Sequence, residues 1–174
     1  MPEHLQIAFK EVTTETHIWK LLEDVSDPEI PVLSILDLGV LKKVQVQEDG
    51  KVQVTITPTY SGCPAMNTIA ADIRLKLLAE GFKDVVVNLQ LSPAWTTDWL
   101  SEDGRRKLEE YGIAPPVEPD GDIHALFGRD TVVRCPVCQS ENTKLVSQFG
   151  STSCKAHYQC NACLEPFDYF KCLK

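Results

Sequence analysis

The spacing of apolar residues predicts one helix and then a β-hairpin in the first third of the chain. Apolar residues recur at helical spacing over residues 14–25, and the pair Asp27-Pro28 ends this pattern. Apolar and polar residues alternate over 40–47 and again over 51–57, with an acidic turn containing a glycine between them. This alternation predicts two antiparallel strands joined by a tight turn.

The pattern then changes back to helical spacing. Apolar residues from Met66 to Leu77 predict a second helix, which Gly81 ends in the C′ position. Residues 84–90 form a third predicted strand, and Ser101 is placed to cap a last helix. The order of elements predicts an α+β domain, in which a small mixed sheet of about three strands packs with helices.

Residues 113–130 interrupt all of these patterns. Prolines and glycines are concentrated in this segment, so it is expected to be a stiff, poorly helical linker. The sequence therefore predicts an α+β domain over residues 1–112, a linker over 113–130 and a small cysteine-rich β domain over 131–174.

Composition and charge exclude several classes of protein. With 43% hydrophobic and 24% charged residues, the chain is typical of a globular protein, and no apolar run approaches the length of a membrane span. The first fifteen residues are acidic and interrupted, unlike a signal peptide, so we expect a cytoplasmic protein. The net charge is −8, and the acidic balance of the larger domain disfavours tight binding to a nucleic acid.

The chain contains seven cysteines, and six of them lie between residues 135 and 174. An odd number in a reducing compartment disfavours a disulfide framework. Cys135 and Cys138 form one C-x-x-C motif, and Cys160 and Cys163 form another. This spacing predicts a tetrahedral Cys₄ site of the zinc-ribbon kind, with a structural zinc ion that such a short domain needs in order to fold. Four thiolates also suit iron.

Other residues of the tail are less clearly assigned. Cys154 and Cys172 are buried thiols, alternative ligands or ligands of a second centre, and His157 could replace a cysteine as a ligand. Five aromatic residues are expected to form the core of the module: Phe149, Tyr158, Phe167, Tyr169 and Phe170. For the last three of these, a surface that binds a partner is the alternative.

The isolated cysteine, Cys63, precedes Pro64 at the predicted start of the second helix. Because proline is favoured at the first helical position, Cys63 is expected to be the N-cap. The amide N–H groups and the helix dipole would then favour the thiolate, which is a good nucleophile and soft-metal ligand. The alternative is a buried, inert cysteine.

Residues 27–40 set two acids and a serine among prolines and aliphatic residues. Chemistry alone favours a packed loop in which Asp27 caps a short turn. The carboxylates of Asp27 and Glu29 are too weakly patterned to predict a general acid and base.

Three segments together resemble a known family. DPEIPVLSILDLGV (27–40), TPTYSGCP (57–64) and the segment 93–116 are similar to the iron–sulfur cluster assembly domain of SufT-like proteins and cytosolic cluster-targeting factors. With the cysteine-rich tail, nearly all of residues 14–174 resemble the PaaD (PaaJ) family of proteins associated with phenylacetyl-CoA 1,2-epoxygenase.

This resemblance implies a non-catalytic accessory factor in phenylacetate degradation. Such a factor assists the assembly or insertion of iron or an iron–sulfur cluster into the di-iron oxygenase or its reductase. It implies that Cys63 is a transient contact for the cluster or metal, and that Asp27 and Glu29 occupy matching family positions. The expected partners are the oxygenase and reductase components or other iron–sulfur assembly proteins. A homodimer is a further possibility.

Three other functions fit the sequence less well. A redox protein carrying iron in its cysteine-rich tail is the main alternative, and a nucleic-acid-binding zinc ribbon is a weaker one. The chain is not expected to be the oxygenase itself, because no histidine has a glutamate three residues before it, as bundle di-iron sites require.

Overall fold

The computed structural model describes residues 14–117 and 132–172. The chain divides into two compact units, and the division falls between Trp95 and Thr96. None of the described helices is both long and apolar enough to cross a membrane.

The first unit is an α+β sandwich, as predicted. Helix α1 covers residues 14–22. It is followed by β1 (Leu41–Val46), β2 (Val52–Ile56), α2 (Ala65–Ala79) and β3 (Val85–Leu89). The strands form one mixed sheet in the order β1-β2-β3, with β1 and β2 antiparallel and β2 and β3 parallel. Each strand lies within a residue or two of the prediction.

The core of this unit lies between the helices and one face of the sheet. The alternating residues Val52, Val54 and Ile56 of β2 are buried, as expected for a central strand. They share the core with residues at helical spacing on α1 and α2: Ile18, Leu22, Ile69, Ile73 and Leu77. Gly81 follows α2 with a φ of 94°, the left-handed conformation that the prediction required there.

Helix α1 ends at residue 22, three residues earlier than predicted. The reason is that Val25 and Ser26 pair with a later segment. The Val25 carbonyl accepts a hydrogen bond from the Ile35 N–H at 2.9 Å, and Ser26 forms an antiparallel bridge with Ser34. Because Val25 and Ser26 form these hydrogen bonds across the loop 27–33, they do not continue the helix.

The described residues of the second unit form a short 3₁₀ helix, one α-helix and four strands. They are the 3₁₀ helix Thr97–Trp99, α3 (Glu102–Glu110), β4 (Ile113–Ala114), β5 (Thr143–Ser147), β6 (Lys155–Cys160) and β7 (Pro166–Phe170). The strands form a sheet in the order β4-β7-β6-β5. Ser101 caps α3 as predicted, since its Oγ accepts a hydrogen bond from the Gly104 N–H at 2.9 Å.

The units divide earlier in the chain than the predicted boundary after residue 112. Helix α3 and strand β4 belong to the second unit, and β4 pairs in parallel with β7. Ile113 and Ala114 are buried, so the first two residues of the predicted linker are part of a sheet. The prolines that indicated a linker begin only at residue 115, and residues 118–131 lie outside the described part of the chain.

An aromatic cluster supports the β domain. Tyr158 stacks on Phe167 at a centroid distance of 5.9 Å and meets Tyr169 edge-on at 5.6 Å. Phe170 is also buried, so core packing is confirmed for these four residues. The prediction was wrong for Phe149, which is 63% exposed and lies in the turn after β5, where the Lys171 Nζ is 4.5 Å from its ring centroid.

Candidate metal centre and the Cys63 loop

Four cysteines of the second unit converge on one point. The Sγ atoms of Cys135, Cys138, Cys160 and Cys163 all lie within 4.8 Å of one another. The distance from Cys135 to Cys163 is 3.8 Å, and that from Cys138 to Cys160 is 3.5 Å, both between sulfurs. Cys160 is the last residue of β6, so the sheet positions the second C-x-x-C motif directly.

The two motifs fold alike. The Cys135 N–H donates to the Ser140 carbonyl at 3.0 Å, and the Cys160 N–H donates to the Glu165 carbonyl at 2.9 Å, five residues ahead in both cases. Gln139 and Leu164, which follow the second cysteine of each motif, have φ values of 62° and 67°. The left-handed conformation at these two positions reverses the chain and brings the paired sulfurs together. Sequence reasoning missed it because neither residue is a glycine or asparagine.

The electrostatics of the four sulfurs favour a bound cation. The N–H groups of Cys163 and Ala162 approach the Cys160 sulfur at 3.5 and 3.4 Å and lower the pKa of that thiol to about 6. The Glu165 N–H also lowers the pKa of Cys163, but the hydrogen bond with Cys138 and loss of solvent raise it to about 12. A thiolate at one cysteine thus disfavours a thiolate at its neighbour, and a bound cation would offset this repulsion.

The geometry fits a single ion. A zinc–sulfur bond is about 2.3 Å, so the sulfurs of a tetrahedral site lie about 3.8 Å apart. The observed separations of 3.5 and 3.8 Å need little adjustment. With four cysteine ligands no position stays open for a substrate, so the site suits a structural ion, as in zinc ribbons.

Cys154 and Cys172 lie outside this centre. Cys154 is buried, with its Sγ 3.0 Å from the Thr152 hydroxyl, and the Cys172 Sγ is 3.3 Å from the Thr97 hydroxyl. Neither sulfur belongs to the group of four that could hold an ion among the described residues, and a role for them as alternative ligands stays a prediction.

His157 has another partner as well. Its Nδ1 is 3.3 Å from one oxygen of Asp168, whose other oxygen is 3.2 Å from the buried Nζ of Lys155. The ring is therefore part of a polar group on the opposite face of the sheet from Phe167 and Tyr169, because Asp168 and Tyr169 alternate along β7.

In the first unit, Cys63 lies one residue before the N-cap of α2. The N-cap is Pro64, with φ −70° and ψ −23°, and the helix begins at Ala65, so the predicted positions were wrong by one residue. The Cys63 carbonyl accepts a hydrogen bond from the Met66 N–H at 3.4 Å, so Cys63 still takes part in the first turn of the helix. Cys63 is neither fully buried nor fully exposed.

The environment of Cys63 favours the thiol, contrary to the prediction. Burial raises the pKa of Cys63 above its ordinary value, while hydrogen bonds from the Ala65 N–H and the Thr59 side chain oppose this rise. The negative charges of Glu29 and Asp27 raise the pKa further. The helix start does supply the expected N–H, but loss of solvent outweighs it.

Because both carboxylates act on this sulfur, the structure brings together the three residues that the sequence singled out. Asp27 also caps its own turn as predicted, since its Oδ1 accepts hydrogen bonds from the N–H groups of Glu29 and Ile30, each at 2.8 Å. Asp27 is 8% exposed, so a carboxylate is held in a fixed position beside the cysteine loop.

Two further polar groups lie in the loops of the first unit. Ser34 and Asp37 bond reciprocally: the Ser34 N–H and hydroxyl both donate to Asp37 Oδ2 at 2.9 Å, and the Asp37 N–H donates to the Ser34 Oγ at 3.0 Å. The Thr57 hydroxyl, at the start of the cysteine loop, is buried without a partner among the described residues. The serine and aspartate spacing resembles a capping motif and could have been found by sequence.

Comparison with known proteins divides the chain in the same way. Residues 15–89 match the family described as iron–sulfur cluster assembly protein. Residues 119–171 match the PaaD zinc beta ribbon domain. A protein of Escherichia coli strain K12, named as a candidate component of 1,2-phenylacetyl-CoA epoxidase, is 51% identical over 156 residues, which cover 90% of this chain and 92% of that protein.

The chain belongs to the PaaD family. Its four clustered cysteines are those of the zinc ribbon that the family match covers. A protein of Porphyromonas gingivalis named Fe-S protein maturation auxiliary factor is 42% identical over 96 residues, covering 55% of this chain and 90% of that protein. The crystal structure of a DUF59 domain from Bacillus anthracis has a TM-score of 0.55 and 27% identity, covering 58% of this chain and 96% of that one.

Proposed function

We propose that this PaaD-family chain is a non-catalytic maturation factor of the phenylacetyl-CoA 1,2-epoxygenase system of phenylacetate degradation. It acts in the cytoplasm and assists the assembly or insertion of iron or an iron–sulfur cluster in the oxygenase or its reductase. The names of its relatives support a role in iron–sulfur protein maturation. The observation that carries the proposal is the half-buried Cys63 at the start of α2, whose pKa is raised by burial and by the charges of Glu29 and Asp27.

These three residues suit a cargo that is held briefly. Burial, and to a smaller extent the two carboxylates, raise the pKa of Cys63, so the bare thiolate is disfavoured until a cation arrives. The same negative charges attract a cation and lower its energy once it is bound. One thiol from the chain gives a weaker hold than four, so the cargo can leave for a client protein.

The ribbon site, by contrast, suits an ion that stays bound. Its four sulfurs saturate one ion, and we propose that this ion is zinc and serves to fold the module. Iron in the same site would make the tail a redox centre. Absorption spectra of the anaerobically purified protein separate the two, because a zinc site is colourless and ferric iron bound by four thiolates absorbs in the visible range.

Substitution of Cys63 in cells that produce the epoxygenase components tests the maturation role. We expect Cys63→Ser to lower the iron content of the purified oxygenase or reductase while the ribbon metal stays bound. The matched control is Cys172→Ser, which replaces another partly exposed cysteine of the same chain. Oxygenase and reductase with full iron content from the Cys63→Ser strain would refute the proposal.

A further inference from the structure

Among residues 14–117 and 132–172, strand β5 lies at an edge of the ribbon sheet and pairs on one side, with β6. The opposite edge is β4, which has two residues, whereas β5 has five. Unpaired N–H and C=O groups along an edge strand are a template for another strand, so natural proteins usually protect such edges. Strand β5 has two features that disfavour pairing with another strand: a bulge between Leu145 and Ser147, and one lysine, Lys144.

The side chains along this edge are exposed and apolar. Leu145 is 41% exposed and Val146 55%, and Phe149 follows just beyond the strand at 63%. Leu145 also lines a cavity of about 270 Å³ together with Tyr158 and Tyr169. An added strand would present alternate side chains to this cavity, which is how strand addition gains specificity.

The charge at the edge is positive. Lys144 is exposed and forms no ion pair among the described residues, and Lys171 lies over the Phe149 ring and donates to the Gln148 carbonyl at 3.1 Å. Two acidic residues of the ribbon are already paired, Glu141 with Arg134 at 2.7 Å and Asp168 with Lys155 at 3.2 Å. An acidic and apolar partner complements this surface.

A second copy of the chain complements it poorly. Pairing of two β5 edges would bring the lysines of both copies close together, where they repel each other. Each chain also carries a net charge of −8, which disfavours association of two copies. A nucleic acid would match the lysines but would leave the exposed Leu145, Val146 and Phe149 unused.

We propose that an extended acidic and apolar segment of the client protein adds as a fifth strand along the open edge of β5. This inference rests on the proposed maturation function and names the docking surface that brings the client to the chain. The ribbon then serves recognition, while Cys63 carries the cargo.

Binding of the full-length protein to the purified oxygenase component and, separately, to the purified reductase component tests this inference. We expect Val146→Asp to weaken binding to one of them by ~10-fold or more, since a charge at a buried contact is strongly unfavourable. Lys144→Glu should weaken it as well, and added salt should weaken the wild-type complex. Retained metal and an unchanged thermal midpoint show that the variants fold.

The control is Leu91→Asp, which adds the same charge at a residue of the first unit that is 56% exposed, against 55% for Val146. It should bind like the wild type. Cys63→Ser should also bind normally, so loss of cargo transfer and loss of docking can be told apart.

Equal affinity of Val146→Asp and wild type for both components overturns the inference, and so does a wild-type protein that binds neither. If the wild-type protein self-associates or binds a nucleic acid, and Val146→Asp abolishes that binding, the inference is wrong and the edge binds that partner instead. Hydrogen exchange gives an independent check, because β5 amides should become protected only when the client is added. Protection in the isolated protein would mean that the edge is already covered.

Discussion

The two cysteine regions of this protein differ in how many sulfurs lie close together and in the charge that acts on the sulfur. In the ribbon, four sulfurs lie within 4.8 Å, and two of them, in Cys135 and Cys160, are fully buried in the aromatic core. In the α+β unit a single half-buried sulfur is acted on by the charges of two carboxylates, and aliphatic packing forms the core without it. We therefore expect the ribbon site, which is part of the core, to keep its ion, and we propose that an ion at Cys63 exchanges.

Removal of the ribbon metal is expected to have the largest effect. Structural zinc contributes on the order of 10 kcal/mol to the folding of small domains. Cys135→Ser, or a strong chelator, should therefore unfold strands β5 to β7 while the α+β unit stays folded. NMR spectra resolve the two units. Ribbon resonances that are unchanged after complete metal removal would contradict this distinction.

Truncation in the aliphatic core should have the converse effect. Ile73 is fully buried between α2 and the sheet, and its replacement by alanine should destabilise the first unit by about 2–5 kcal/mol. The bound ribbon metal should not change. Urea unfolding followed by NMR, with metal analysis of the same samples, checks both expectations. Leu75→Ala, at a residue of the same helix that is 64% exposed, is the control and should cost little.

The smallest expected effect concerns the reactivity of Cys63. Because burial and two nearby carboxylates raise its pKa, the thiolate fraction at neutral pH is smaller than for a free cysteine. Alkylation by iodoacetamide should therefore increase with pH through a midpoint above that of a cysteine peptide. Glu29→Gln removes one negative charge and should shift the midpoint downward. A midpoint at or below that of the peptide would show that the helix start controls the sulfur after all.

Much of the fold follows from local patterns. The alternation over 51–57 and the helical spacing from Met66 to Leu77 are signals that tertiary contacts reinforce, so β2 and α2 lie close to their predicted positions. The end of α1 was placed too late, because the pairing of Val25 and Ser26 with residues 34 and 35 is not visible in a helical pattern.

The metal centre was predictable because its ligand spacing is itself a structural constraint. The environment of Cys63 was not. Its position next to a helix start indicates a low pKa, but burial depends on tertiary packing, and single-sequence patterns do not report that packing. The same reason explains why the sequence identified Asp27 and Glu29 without showing that they act on the sulfur.

Counting bound metal ions tests the central distinction most directly. Native mass spectrometry of the protein incubated anaerobically with ferrous iron should show one ion that survives dialysis against a weak chelator and a second that leaves. Cys63→Ser should keep the first ion and fail to take up the second. A Cys63→Ser protein that binds and releases the second ion like the wild type would contradict the account.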